Sequence, residues 1–304
     1  MKMKRTLLFL LLTATGILLH AQTLPLLYNP TDPRSLAMGG AGVALEADAW
    51  ALDNNFAAAA LSTKTFTSGV TYLRWAPNPS PDDRFAAGGW YRMDRLAIGL
   101  SAKGSFSQPY DIVSPSGKTT GRFEPRDLSL AVGAAWMPYP GLSLSAGARM
   151  VSSSLGEELS GLAVCGDLAV QYAYGPVRAG LSAANLGAPI RYGDTSYPLP
   201  ALVRGGFTYG SLWVDGTVEI AYLFRTGMTA SIGVEARPLE QTGQPRSWLT
   251  LRAGYHLGAE NRGLPSFGSC GIGLYFSGLS IDFSLLFASP TLGMSLCAGV
   301  SYSF

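Results

Sequence analysis

The sequence is poor in charged residues, yet it has no long apolar run after its first twenty residues. Asp, Glu, Lys and Arg make up 14% of the 304 residues, compared with about a quarter in typical soluble domains. No later segment reaches the roughly 18 uninterrupted apolar residues that a membrane-spanning helix requires. These two absences together favour a β-barrel, which crosses a bilayer with alternating strands.

Cysteine and histidine are also scarce, which argues against a metal site or a hydrolase. Cys165, Cys270 and Cys297 lie far apart and have no metal-ligand spacing. His256 is the single histidine after the first twenty residues, and no Gly-x-Ser-x-Gly motif accompanies it. We therefore expect no catalytic residue, no metal and no cofactor, with His256 as a solvated loop residue at the end of a strand.

The first residues predict export. Lys2, Lys4 and Arg5 precede an apolar stretch over residues 7–19, and Ala21 ends it in a way that suits signal peptidase. We therefore predict a signal peptide at residues 1–21. Without its three cations the chain has 19 Lys and Arg against 20 Asp and Glu, so bulk charge does not favour a nucleic-acid partner.

The C-terminal segment alternates strictly, with apolar residues at every second position from Met294 to Phe304. Successive residues of a strand point to opposite faces, so one face suits lipid and the other a small or wet interior. Similar segments predict an all-β fold, a transmembrane antiparallel barrel of about 14 strands over residues 63–304. The predicted strands are 65–75, 84–93, 95–104, 127–137, 141–151, 163–174, 176–184, 200–209, 211–223, 226–236, 246–255, 268–277, 279–288 and 293–304.

The charged residues of these strands favour the polar face. Arg74 is the exception and lies at a strand end, where it can reach the lipid headgroups. A soluble β-sandwich is the alternative, but its outward face would be the charged one. Arg92 and Lys103 share the polar face with a candidate charge network of the barrel lumen: Arg149, Asp167, Arg178, Arg204, Asp215, Glu219, Glu235, Arg252 and Asp282.

Short and long connections alternate along the chain, as in outer-membrane barrels. The long connections 105–126, 152–162, 185–199 and 256–267 are predicted to face outward, which puts both termini in the periplasm. Two connections depart from the pattern, a long inner turn at 237–245 and a tight outer one at 224–226. The first outward connection carries a candidate recognition loop with Tyr110, Asp111, Lys118 and Arg122.

Residues 22–62 lack the strand pattern and are rich in Gly and Ala. Small side chains allow a segment to fold close to other backbone, so we predict a hatch inside the barrel. A short periplasmic arm with one strand is the alternative. The candidate hatch residues are Met38, Gly39, Gly40, Gly42, Asn54, Asn55 and Phe56.

Several motifs carry a family resemblance. Ala37-Met-Gly-Gly-Ala-Gly-Val-Ala44 followed by Asp53-Asn-Asn resembles the hatch of FadL-like outer-membrane barrels, and more closely that of the PorV/PorQ branch. That branch usually continues Asn-Pro-Ala, whereas this chain has Phe56. Gly121-Arg-Phe123, Gly166-Asp167-Leu168 and Asn185-Leu-Gly187 follow in the family's order. The resemblance implies a fourteen-stranded barrel with a hatch.

The resemblance also implies a function and partners. A PorV/PorQ-like protein would be an accessory component of type IX secretion, with outer-membrane lipid, exported cargo proteins or secretion-system subunits as partners. A FadL-like channel for small hydrophobic compounds is the first alternative. A structural barrel without transport is the second.

Overall fold

The computed structural model describes residues 24–77, 80–156, 159–239 and 248–304. The predicted signal peptide lies outside the described residues, as does most of the predicted inner turn at 237–245. No helix in the described residues is long and apolar enough to cross a membrane.

Fourteen antiparallel strands close into a barrel, which confirms the predicted fold. Numbered in chain order, the barrel strands are β1 (Phe66–Trp75), β2 (Asp82–Met93), β3 (Leu96–Ser107), β6 (Arg126–Tyr139), β7 (Leu142–Ser154), β8 (Ser160–Tyr174), β9 (Val177–Gly187), β12 (Leu202–Gly210), β13 (Val214–Leu223), β14 (Gly227–Ala236), β15 (Leu249–Leu257), β16 (Phe267–Phe276), β17 (Leu279–Phe287) and β18 (Ser295–Ser303).

Closure joins the first barrel strand to the last. β1 pairs antiparallel with β18 on one side, with Val70 opposite Val300, and with β2 on the other. Two hairpins that the sequence did not predict rise from the long connections, β4 (Tyr110–Val113) with β5 (Thr119–Phe123) and β10 (Ile190–Tyr192) with β11 (Thr195–Tyr197). We call the end of the barrel that carries Phe304 the near end and the opposite end the far end. Both hairpins lie at the far end.

The two faces of the wall differ as the alternation predicts. Leu130 and Val132 on β6 point outward and are 54% and 53% exposed, whereas Ser129 and Ala131 between them are 2% and 3% exposed. Arg74 is on the outward face near the far end, where its Nη1 lies 2.7 Å from Asp83 on β2. The outer surface is therefore apolar through the middle of the strands.

Residues 24–62 lie inside the barrel, and we call them the plug. They form a short 3-10 turn (Pro25–Leu27) and three short helices, α1 (Pro33–Ala37), α2 (Ala51–Asn54) and α3 (Ala57–Leu61). α1 packs against β15 to β18, while α3 packs against β6, β7 and β8. The plug therefore touches opposite parts of the wall.

The plug runs from one end of the barrel to the other. Leu24 packs with Val151 and Ala163 at the far end. Thr65, just past the plug, donates its backbone N–H to the carbonyl of Phe304 at the near end. Leu24, the first described residue, and the C-terminus thus lie at opposite ends of the barrel. The sequence predicted both termini on the same side, and Leu24 does not lie on that side.

Candidate functional site

Wall glycines allow the plug backbone to approach the barrel closely. A Cβ atom at Gly254 would overlap Gly39 and Met38, and one at Gly180 would overlap the carbonyl of Val43. Gly39 itself has a φ of +70°, in the left-handed region that favours glycine. The plug backbone from Met38 to Val43 therefore contacts the wall closely at two places, on β15 and on β9.

The other predicted hatch residues also make contacts that fix the plug. The backbone N–H groups of Gly42 and Val43 both donate to Glu219 Oε2 at 2.8 Å. Asn55 Nδ2 donates to the carbonyl of Val43 at 2.8 Å, and its Oδ1 accepts from the N–H of Ala57. These bonds hold the turn between the glycine run and α3.

Phe56 contacts the barrel wall, whereas Asn54 contacts another residue of the plug. The Phe56 ring occupies the space in front of Gly99 and Gly133 on the wall, where a Cβ atom would come within 2.6 Å and 3.1 Å of it. Asn54 Nδ2 donates to Asp32 Oδ2 at 3.1 Å inside the plug. Phe56 is thus a buried contact to the wall.

An ion cluster at the near end of the barrel connects the plug to the wall. Glu235 on β14 is fully buried and accepts hydrogen bonds from Arg34 of the plug at 2.9 Å and from Arg252 on β15 at 2.8 Å. Arg237 bridges Glu235 to Asp215. Burial opposes the charge on Arg34, but Glu235 outweighs it and holds the pKa of the guanidinium above its ordinary value. The cluster continues to Asp282 and Arg178.

A second cluster surrounds Asp53 of the plug. Its Oδ1 lies 3.0 Å from both Lys103 Nζ and Arg149 Nη2, and Ser101 Oγ donates to Oδ2 at 2.5 Å. Burial alone would raise the pKa of Asp53, but the two cations outweigh it and hold the pKa well below its usual range. Arg149 also pairs with Asp167 at 3.2 Å.

Arg204 and Glu219 belong to neither cluster, because they bind the plug backbone instead. Arg204 Nη2 donates to the carbonyls of Asp53 and Asn54 at 3.0 Å and 2.8 Å. Seven of the nine predicted lumen residues therefore belong to one of the two ion clusters. The other two, Arg204 and Glu219, bind the backbone of the plug. Sequence reasoning missed Arg34 and Asp53, the plug members of the clusters, because the plug has no periodicity that assigns side chains to a face.

The predicted recognition loop lies apart from these clusters, on the exposed hairpin of β4 and β5 at the far end. Asp111 faces Arg122 across the hairpin, with Lys118 in its turn. Tyr110 Oη donates to the carbonyl of Leu155 at 2.9 Å and so ties the hairpin to the next connection. None of the four lines the cavity described below.

A cavity of about 50 Å³ lies at the far end, between the start of the plug and the wall. His256 lines it, so the expectation of a solvated loop residue is wrong. This residue lies within β15, half-buried and inward-facing, and its ring stacks on Phe267 with centroids 5.0 Å apart. The other lining residues are Tyr28, Asn29, Pro30, Gly40, Trp75, Leu202, Arg204, Glu219, Ala221, Leu223, Thr229, Ser231, Leu264 and Pro265.

Solved structures of hydrocarbon transporters resemble this chain along nearly its whole length. The toluene transporter TbuX of Ralstonia pickettii superposes with a TM-score of 0.67 at 15% identity, covering 91% of this chain and 98% of that one. The chain shares the TbuX fold. The monoaromatic hydrocarbon channel CymD gives 0.63 at 16% identity over 93% and 98%, and the Pseudomonas putida toluene transporter TodX gives 0.61 at 15% identity over 88% and 96%.

Sequence comparisons add no family. No family model and no curated protein matches the chain. The expected FadL-like barrel is confirmed at the level of the fold, whereas membership of the PorV/PorQ branch stays a prediction.

Proposed function

We propose that this protein is an outer-membrane channel for small hydrophobic compounds, with the plug as its gate. The near end faces the periplasm and the far end faces outward in this proposal. The observation that carries it is the far-end cavity. Trp75, Phe267 and Leu264 give it an apolar lining, and plug residues 28–30 line it as well. The fold likeness to TbuX, CymD and TodX supports the same proposal.

The size of the cavity supports a gate rather than an open pore. Its volume of about 50 Å³ is well below the ~150 Å³ of an engineered cavity that binds benzene. A compound of that size therefore requires the surrounding residues to shift. Tyr28, Asn29 and Pro30 at the start of the plug line the cavity outside any β-ladder, as do Leu264 and Pro265 in the connection before β16. We assign the shift to the plug residues Tyr28, Asn29 and Pro30.

The apolar exterior supports a membrane location. Placing a charge on the lipid face at the bilayer midplane costs about 2–4 kcal/mol, and the middle of the outward face in the described strands carries apolar residues such as Leu130, Val218 and Ile232. The strand count and the alternation are those of an outer-membrane barrel. Lipid is therefore the first partner in this proposal.

The secretion-accessory function stays a prediction, because no contact in the described residues favours a docked cargo protein over a small compound. The two functions separate in one pair of measurements. Initial uptake of radiolabelled toluene is compared in cells with and without the protein, and detergent extracts are tested for co-purifying exported proteins. Faster uptake supports the channel. Unchanged uptake together with co-purified exported proteins would overturn it in favour of secretion.

A further inference from the structure

The far-end cavity is not uniformly apolar, because a strip of polar side chains covers one side of it. Thr229 and Ser231 point inward from β14, and His256 lies directly opposite Ser231 on β15. Phe267 adjoins this strip, directly opposite His256 on β16, and Trp75 packs edge-on against Phe267. A lining in which polar side chains adjoin aromatic rings suits a molecule with an apolar ring and one polar substituent better than a bare hydrocarbon.

The hydrogen bonds of His256 determine which of its ring nitrogens is free to bind a ligand and whether that nitrogen donates or accepts. Its Nδ1 lies 2.9 Å from Ser231 Oγ and 3.2 Å from the carbonyl oxygen of Gly39. A carbonyl can only accept, so this contact places the proton on Nδ1. In the neutral imidazole, Nε2 is then an acceptor. Among the described residues Nε2 has no hydrogen-bond partner, and neither has the hydroxyl of Thr229.

The charges beside the strip do not favour an anion. Arg204 and Glu219 both line the cavity, so one positive and one negative group stand on the same wall. Each of them is already bound to plug backbone, Arg204 to two carbonyls and Glu219 to two N–H groups. A neutral hydrogen-bond donor is therefore the substituent that matches the strip.

We propose that the cavity selects small aromatic compounds that carry a hydroxyl group, with His256 Nε2 accepting the hydroxyl proton and Thr229 Oγ1 within the same polar strip. This inference rests on the proposed function, and it names the substrate class of the same site. The aromatic ring would pack against Trp75 and Phe267. An unpaired acceptor at Nε2 disfavours toluene, which leaves it without a partner.

The test uses phenol and toluene, which differ by one hydroxyl in place of one methyl, and benzoate as the anionic probe. Purified protein is reconstituted into vesicles, and initial uptake of each radiolabelled compound is measured against protein-free vesicles. We expect uptake above the control for both neutral compounds, with phenol favoured about five- to tenfold over toluene. A preference for toluene or for benzoate would overturn the inference.

Variants test which side chains cause the preference for phenol over toluene. His256→Phe keeps a ring beside Phe267 but removes Nε2, so the ratio of phenol uptake to toluene uptake should fall to about one, whatever the change in total uptake. Thr229→Val should reduce the preference less. Thr208→Val is the matched control, because Thr208 is an inward residue near the near end that bonds to Thr217 outside the cavity; it should keep the full preference.

The outcomes separate the two proposals. Toluene uptake above the protein-free control without a phenol preference overturns the hydroxyl selection and leaves the channel function standing. Absence of any uptake in folded, vesicle-inserted protein overturns both. A phenol preference that survives both His256→Phe and Thr229→Val overturns the assignment of the strip.

Discussion

Arg34 and Glu235 form a two-pronged ion pair between the plug and the wall, with Nε 2.9 Å from Oε2 and Nη2 3.1 Å from Oε1. The residues lie 201 positions apart, and the carboxylate is fully buried. A charge-assisted pair of this geometry fixes orientation as well as distance. It ties α1 to the wall through Glu235, beside the hydrogen bond from Ser269 Oγ to the carbonyl of Ala37.

Replacing that carboxylate should loosen the plug. Glu235→Gln leaves Arg34 and Arg252 buried without their shared anion, and breaking a buried pair from one side costs about 3–5 kcal/mol. The midpoint of guanidinium unfolding in detergent measures the loss. Arg74→Gln is the control, because Arg74 and Asp83 are more than a third exposed and solvent screens such a pair, so the midpoint should hardly change. Equal small effects of the two variants would contradict the described role of Glu235.

A methyl group on the wall should displace the plug locally. Gly180→Ala puts a Cβ atom into the carbonyl of Val43, whereas Gly216 has no atom within 4 Å of its Cβ position. We expect Gly180→Ala to increase amide hydrogen exchange in residues 38–45, by the loss of packing that overfilling of a tight contact causes. Gly216→Ala should leave exchange at wild-type level. Unchanged exchange in Gly180→Ala would show that the plug does not contact the wall there.

The plug should become less stable as the pH rises. Burial, and then repulsion by Asp32, raise the pKa of Asp48 to about 7, although Arg34 and Lys64 act in the opposite direction. Since the unfolded value is near 3.9, the folded chain holds the proton more tightly. The stabilisation is fully present below about pH 4 and is lost as the pH rises to about 7.

Thermal midpoints of the wild type and Asp48→Asn at pH 5 and pH 8 check this dependence. The amide stays neutral and can still accept the N–H of Trp50, which donates to Asp48 at 2.9 Å. The variant should therefore gain stability relative to the wild type at pH 8 more than at pH 5. Asp194→Asn, in an exposed turn, should show no such difference. An equal offset at both pH values would contradict the prediction.

A charged residue on the outward face, in the middle of a strand, should destabilise the folded barrel. Val218 lies mid-way along β13 and is 48% exposed, so Val218→Lys should cost about 2–4 kcal/mol on folding into phosphatidylcholine vesicles. Leu212→Lys, in the turn before the same strand, should cost no more than about 1 kcal/mol because it lies near the interface. Equal costs for the two, measured by denaturant titration, would be incompatible with lipid around the wall.

The alternation of residues was enough to predict the wall. Each barrel strand has one buried face, so a period of two in segments such as Leu128 to Trp136 assigns both the strand and its orientation. Local irregularities do not have that signature. The shift of register between β8 and β9 at Asp167, with Asn185 at a φ of +60°, depends on hydrogen bonds that form only when the strands meet.

Only those residues of the site that belong to the barrel wall could be predicted from the sequence. Strand parity placed Glu235 and Arg252 on the inward face, but their partner Arg34 lies on a plug helix of five residues with no period to read. His256 was misassigned because the predicted strand ended at residue 255, whereas β15 extends to Leu257. The cavity itself combines six barrel strands that no local pattern groups together.

Ion conductance of single proteins in planar bilayers tests the central claim most directly, namely that residues 24–62 fill the barrel and are held there by the wall. The full-length protein should show low conductance, and the variant lacking residues 24–62 should show a large, steady increase. Glu235→Gln should open intermittently between these two levels. A full-length protein that conducts as well as the plug-deleted variant would contradict the account.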